Sequence, residues 1–410
     1  MTSARHPRAT IPEARLRVLL ITSPSTTHFL PMVPLAWALR AAGHEVLVAA
    51  QPDVLDAVAG AGLNAVPTGR RAGIDDAMRE LLFRPGLRPF ACLGRWTPEM
   101  LAVFPPVWQR HSADVLPRYL ELARTLRPDL IVCDVMEFNA PVVGAELGIP
   151  VVRHRYGVDP LLSGIAPAAR DALRPLHQEL GLGRLPEPTA VLDPCPAALQ
   201  LPDIAPGRPV RYVPYNGSGV LPDWLRAERQ AGAPPRRVLV SLGSHTLALN
   251  GVPLLRGILA AAGAGHSGVE VLATVPRAYR AELGPVPDTV RLIDPLPLHL
   301  IAGDCAAVVH HGGAGTGMTA AVHGVPQLVL PQFADAFAFA ERLSAVGAGL
   351  AVDTVEQQDD PEFLRTVLEK LLGDASYEQA AGRLGRAMAE MPPPAALVPE
   401  LERIAAGAPI

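Results

Sequence analysis

What this sequence lacks narrows it before any motif is read. Hydrophobic residues make up 49% of the chain against 19% charged, yet no stretch approaches the roughly 18 uninterrupted apolar residues that a membrane span needs. With a net charge of −4 there is no basic field to draw nucleic acid. The four cysteines (Cys92, Cys133, Cys195, Cys305) are far apart and form no CxxC pair, and two lie inside apolar strand-like runs. That points to reduced core thiols in a cytoplasmic protein and away from disulfides or a zinc site. There is no Asp-x-Asp motif to hold a divalent metal and no Gly-Lys-Ser/Thr loop of the Walker type. Residues 1–15, MTSARHPRATIPEAR, carry charges and prolines but no apolar core of a signal peptide, so a disordered tail is expected there.

What is present organises itself as α/β. At 410 residues the chain is long for one core and suits two domains of about 200 residues each. Leu16 to Thr22 and Glu45 to Ala50 are apolar strands; between them a polar loop, SPSTTHF, leads into helical spacing from Leu30 to Ala42, which Gly43 ends. The loop after the first strand lies at the carboxyl edge of an open parallel sheet, where ligands bind, and it carries His28. Pro128 to Asp134 (PDLIVCD) is a buried-strand pattern that ends in a carboxylate at the same edge. Asp134 reads either as the partner of a nearby histidine or as the cap of a helix beginning near Asn139, with Glu137 as an alternative partner.

Aromatic residues are scarce at 5%, yet Phe83, Phe90, Trp96, Met100, Phe104 and Trp108 gather between Arg70 and His111. They fit either packing beneath a long insertion or an apolar wall for a flat ligand. A second loop on that side, Arg153 to Pro160, follows the strand Pro150 to Val152 and carries His154, which reads as structural. The Pro- and Gly-rich run from Asp193 to Gly219 marks a boundary, which divides the chain into 16–215, a linker 216–235, and 236–390, with a final segment 391–410. The second half repeats the strand–helix alternation, with strands at Val238 to Leu242, Val269 to Thr274, Val290 to Ile293, Ala306 to Val309 and Val325 to Leu330.

The most informative stretch is VVHHGGAGTGMTAAVHGVPQLVLPQFAD, from Val308 to Asp335. A buried strand runs into His310, His311 and a glycine-rich turn, then into a small-residue helix from Thr316 to Val322 whose free N–H groups and positive dipole end would receive an anion such as a diphosphate. It is not the dinucleotide fingerprint, because a GxGxxG starting at Gly313 would need glycine at Met318. Gly243 and Ser244 follow the first strand of this half, where they form either a second approach to the phosphates or a plain βα turn.

HHGGAGT followed by GVPQLVLPQ and Asp335 resembles the nucleotide-sugar motif of inverting glycosyltransferases, in particular the actinomycete enzymes that attach deoxysugars to polyketide natural products. RYVPYNGSG, before Val220, resembles the matching segment of enzymes acting on spinosyn-type macrolides, angucyclines and anthracyclines. The resemblance implies two facing Rossmann-like domains of the GT-B type, an acceptor domain followed by a donor domain, with the final helix crossing back to the first. It implies His28 as catalytic base with Asp134 as its partner, in a THFLP context where relatives commonly have Gly before the histidine. It places the donor diphosphate on His310, Gly313, Gly315, Thr316 and Ser244, the sugar on Asp335 and Gln332, the nucleobase on Leu296 and Pro297, and the aglycone on Phe83, Phe90, Trp96, Phe138 and Tyr156. Relatives commonly follow the sugar-binding Asp with Gln; here Ala336 stands in that place, which leans toward a donor with fewer hydroxyls. No cofactor or metal is implied beyond a nucleotide-sugar cosubstrate, expected to be a dTDP-deoxysugar, and a homodimer is compatible. Two rivals share the fold: a nucleotide-sugar 2-epimerase and a silent homologue that scaffolds a partner transferase.

Overall fold

The computed structural model describes residues 15–73, 76, 80, 95, 97, 101–102, 104–159, 161–232, 235–264, 268–332 and 335–408, with the side chains of 161–164 and 244–245 excepted. Phe83, Phe90 and Trp96 lie outside the described residues.

Strands rich in Val, Ile and Leu with both faces apolar can be satisfied only between two helical layers, and that is where they go. The first sheet is parallel, in the order β3-β2-β1-β4-β5-β6-β7. Its strands are β1 (Arg17–Ile21), β2 (Glu45–Ala50), β3 (Asn64–Pro67), β4 (Leu130–Asp134), β5 (Val151–His154), β6 (Ala190–Asp193) and β7 (Arg208–Pro209). The second is also parallel, in the order β10-β9-β8-β11-β12-β13. It contains β8 (Arg236–Ser241), β9 (Val269–Thr274), β10 (Val290–Ile293), β11 (Ala307–His310), β12 (Gln327–Val329) and β13 (Gly349–Ala351). The molecule is therefore two Rossmann-like α/β domains.

The strand order reverses beside β1 in one sheet and beside β8 in the other, and such switch points open a crevice at the carboxyl edge. Register brings Asp134 level with His154 at one edge and His310 level with Ser241 and Val329 at the other. The segment Leu30 to Ala42 is not one helix. A turn at Thr26–Phe29 and a 3₁₀ turn at Leu30–Met32 precede the helix Val33–Ala41, because Pro31 and Pro34 supply no N–H and fit only at the starts of such turns. His28 is consequently held within a short helical turn.

Two features of the domain boundary were not legible in composition, and a third is the returning final helix that the resemblance implied. Within the expected linker, Asp223–Ala231 is a helix, and its Leu225 is buried in the second domain's core. An apolar cluster joins the halves, with Val158, Cys195, Leu199 and Tyr212 packed among Met318, Phe339, Leu343 and Met388. The final helix, Pro394–Ala405, buries Leu397, Val398, Leu401 and Ile404 in the core of the first domain, with Glu402 3.1 Å from His44. Cys133, Cys195 and Cys305 are buried free thiols. Among the described residues no helix is long and apolar enough to cross a membrane.

Candidate active site

At the edge of the first sheet, Asp134 ends β4 and is 1% exposed. Its carboxylate accepts bonds from the Ser23 and Met136 N–H groups, and it lies 3.2 Å from His28 Nδ1. Burial works against its charge, but His28 and the two N–H donors outweigh burial and hold the carboxyl below the usual range. Burial also disfavours the charged imidazole; Asp134 overcomes this, and His28 is raised above its ordinary value of 6.5. The choice left open for Asp134 is thus resolved by geometry. The helix Asn139–Leu147 starts from Phe138 without a side-chain cap from Asp134, and it is Glu137 that accepts from the Asn139 N–H. With Nδ1–H donating to Asp134, the ring presents Nε2 as a proton acceptor, and 22% of the side chain is exposed.

At the glycine-rich turn the two histidines are placed differently from what was expected. His310 is fully buried at the end of β11. Its Nδ1 accepts from the Gly312 N–H at 3.1 Å, so its Nε2–H donates to Gln327 Oε1 at 2.9 Å, and both nitrogens are taken up internally. Burial, with His311 beside it, pushes its pKa down to about 3, so it is a neutral residue held by its neighbours in the fold. His311 is the histidine at the turn. A Cβ on Gly313 would fall 2.4 Å from His311 Nε2, and one on Gly243 2.8 Å from its Cε1, so its ring occupies the space those two glycines leave open. The alternation of side chains along a strand explains the exchange: once His310 points into the packed face, the next residue points away from it. Gly312 takes φ +88°, which permits the tight turn, and the helix Ala314–Val322 starts at Gly313 with Gly315 and Thr316 half-buried in its first turn. Ser244 lies in the first turn of the helix Gly243–Asn250.

Tyr156, from the loop after β5, spans the cleft. Its ring meets that of His28 edge-on at 5.1 Å between centroids, and its hydroxyl donates to Asp335 Oδ2 at 3.5 Å. Asp335 opens the helix Asp335–Ala345, and burial raises its pKa although His28 pulls the other way. Gln332 does not reach this space. Its amide N–H groups donate to Leu330 O and Gln358 Oε1 and its oxygen accepts from Asn250, and the side chain is buried just after β12. Ala336 is buried against the backbone of Gly312. Leu296 is half-buried and Pro297 buried at the start of the 3₁₀ turn Leu298–Leu300, with Gly219 packed on the proline ring.

Sequence reasoning missed Asn216, in the segment between the domains. Its side chain accepts from the His299 N–H at 3.0 Å and bonds to Thr319 Oγ1 at 3.1 Å, which ties the Leu298–Leu300 turn to the helix Ala314–Val322. Only its place in the RYVPYNGSG segment hinted at a role. Among the described residues no group of three or more His, Cys, Asp or Glu could hold a metal ion. Chemically, the cleft offers a proton acceptor on one wall and an anion-stabilising helix terminus on the other.

Residues 37–84 and 93–243 match the N-terminal domain of erythromycin biosynthesis protein CIII-like proteins, and residues 258–404 match their C-terminal domain. The L-demethylnoviosyl transferase of Streptomyces niveus is 39% identical over 93% of this chain and 96% of its own. The aclacinomycin-T 2-deoxy-L-fucose transferase of Streptomyces galilaeus is 34% identical over 95% of this chain and 96% of its own. The solved spinosyn rhamnosyltransferase SpnG superposes with a TM-score of 0.81 at 38% identity, covering 94% of this chain and all of that one. It has also been solved with thymidine diphosphate and with the spinosyn aglycone. With both domains matched and the GT-B architecture in place, the chain belongs to the erythromycin biosynthesis protein CIII-like family of glycosyltransferases.

Proposed function

We propose that this enzyme transfers a deoxysugar from a dTDP donor to a polyketide-type aglycone in antibiotic biosynthesis, with inversion and without a metal ion. The observation that carries the reading is the His28–Asp134 pair, 3.2 Å apart, with Tyr156 connecting it across the cleft to Asp335 beside the glycine-rich turn. His28 Nε2 takes the acceptor hydroxyl proton as that oxygen bonds to the anomeric carbon, while the bond from that carbon to the diphosphate oxygen breaks on the opposite face. Asp134 fixes the tautomer and meets the imidazolium that forms. His311, the free N–H groups at the start of Ala314–Val322 and the Thr316 hydroxyl receive the charge that grows on the diphosphate. Asp335 accepts from sugar hydroxyls, and Leu296 and Pro297 border the nucleobase. Two observations support the donor class: a relative named as a 2-deoxy-L-fucose transferase and a structural neighbour solved with thymidine diphosphate. Ala336, buried and without a polar group, adds no partner for a further sugar hydroxyl. The relatives reported above are named as transferases, which gives the epimerase and scaffold readings no support.

The test pairs two variants under calorimetry and turnover with an alcohol acceptor. His28→Ala is expected to lose on the order of 10²-fold or more in rate while keeping its affinity for thymidine diphosphate. His311→Ala is expected to weaken that affinity as well. Near-native turnover by His28→Ala would place the base elsewhere. Activity should also persist in excess EDTA; loss restored by magnesium would contradict the metal-free mechanism.

A further inference from the structure

Three residues beyond Asp134, the same loop carries a second carboxylate that the reaction above does not use. Glu137 is fully buried and holds a second histidine, His111, whose Nε2 lies 3.0 Å from Glu137 Oε2. His111 comes from the long helix Pro105–Leu126, and 19% of its side chain is exposed, close to the 22% of His28. The loop after β4 therefore presents two histidines, each anchored by a carboxylate with at most 1% exposure.

The second pair is not needed to satisfy Glu137. That carboxylate already accepts from the Asn139 N–H at 3.1 Å, from Asn139 Nδ2 at 2.7 Å and from Tyr119 OH at 3.4 Å. The dependence runs the other way, since Glu137 fixes the orientation of the His111 ring and gives its charge a partner. Burial lowers the imidazole pKa, but Glu137 outweighs burial, with Asp134 and Asp114 adding to it, and the result is raised above 6.5. The titratable groups around it are Glu137 and Asp134 from the loop and Asp114 and Tyr119 from its own helix. One helical turn earlier, Trp108 stacks on Phe104 at 5.7 Å and meets Phe138 edge-on at 6.1 Å; Trp108 and Phe138 are buried in the core and back the helix that carries His111, while Phe104 is half-buried at its start.

We propose that His111 is a second recognition group for the acceptor: while Nε2 is tied to Glu137, Nδ1 donates a hydrogen bond to a carbonyl oxygen on a flat aglycone, which sets the register that brings the reacting hydroxyl to His28. This rests on the glycosyl-transfer reading above. The substrate class it selects is a hydroxylated aromatic or macrocyclic body with a ketone, lactone or quinone oxygen near the hydroxyl. In the imidazolium both nitrogens donate; once the ring is neutral with Nε2–H still on Glu137, Nδ1 becomes an acceptor and the preference for a carbonyl disappears.

The experiment measures binding of a hydroxyanthraquinone and of the matching hydroxyanthracene to the protein saturated with thymidine diphosphate. At about pH 6 the quinone is expected to bind about 10-fold more tightly, the worth of one charge-assisted hydrogen bond. His111→Gln and His111→Phe should each erase that advantage with unchanged thymidine diphosphate affinity and an intact fold by circular dichroism. Wild-type protein should lose it at about pH 9, a readout that a purely structural histidine would not move. Absence of a quinone preference in the wild type, including failure to bind either compound, overturns the proposal, as does a preference that survives in the variants or at high pH. If one variant fails to fold, the other and the pH series decide. Failure of the protein to bind thymidine diphosphate would instead overturn the glycosyl-transfer reading itself.

Discussion

On the proposed mechanism the charge state of His28 is set by the carboxylates around it, Asp134 foremost with Asp335 and Asp159 adding to it, and the sign of its pH dependence follows. A base must be neutral to take a proton, and Asp134 raises the imidazole above 6.5 against the opposing effect of burial. The rate is therefore expected to fall as pH drops through that raised value, with an acid limb lying above pH 6.5. Asp134→Asn should shift the limb to lower pH and slow the reaction, because the partner that fixes the tautomer is lost; a pH–rate profile with an unmoved limb would refute the pairing. The linked stability has the same origin. The charged His28 form contributes below the ordinary histidine value and is lost as pH rises through the folded one; the Asp134 contribution is present above about 3.8 and is lost as pH falls through its depressed value. His310→Ala should reduce stability through its lost bonds to Gln327 and Gly312, in contrast to the ligand-binding defect expected for His311→Ala.

The helix Ala314–Val322 can aim its amino terminus into the cleft only because one glycine lets it sit close to its neighbour. A Cβ on Gly317 would come 2.3 Å from Phe339 Cζ, a ring in the packed joint between the domains. Gly317→Ala should overpack this contact at a cost of about 1–3 kcal/mol and displace the glycine-rich turn, which on the proposed mechanism weakens thymidine diphosphate binding. Gly257 offers the control, since it lies inside the helix Pro253–Gly263 with nothing within 4 Å of an added Cβ. Gly257→Ala should gain roughly 0.5–1 kcal/mol from helix propensity alone. Chemical denaturation of the two variants measures both; a Gly317→Ala protein as stable as the parent would show that Phe339 does not set the helix position.

Across the whole molecule the chain closes on itself twice. The joint around Val158, Tyr212, Met318 and Phe339 holds the two domains face to face, and the last helix returns to complete the core of the first domain. Leu401, nine residues from the end of the sequence, is 1% exposed among residues contributed by the first strands and helices. Leu401→Ala should cost about 2–5 kcal/mol and should lower the unfolding midpoint of the first domain, far from the mutated position in sequence. If hydrogen exchange instead shows only the second domain loosened, the crossing does not couple them as the packing indicates.

The alternation of apolar strands with helical segments was enough to define two parallel α/β domains, because a strand with both faces apolar has no other stable place to go. The position of His28 after β1 and of Asp134 at the end of β4 was likewise legible, since both sit at strand ends where a parallel sheet exposes its edge. Short strands such as Arg208–Pro209 and Gly349–Ala351 were not, as two or three residues carry no period. Neighbouring histidines could not be told apart either: His310 and His311 are chemically identical in sequence, and only the face each presents decides which is buried at a pKa of about 3 and which lies at the turn. Gln332, Glu137 and His111 show the same limit, because a polar side chain is assigned by the partners that surround it, and those include residues 26 or more positions away for Gln332 and for the His111–Glu137 pair. Local patterning determined which elements form and where the ligand edge lies; the tertiary packing alone decided which donors and acceptors remain available there, since a buried polar group must first be satisfied by whatever the fold brings beside it.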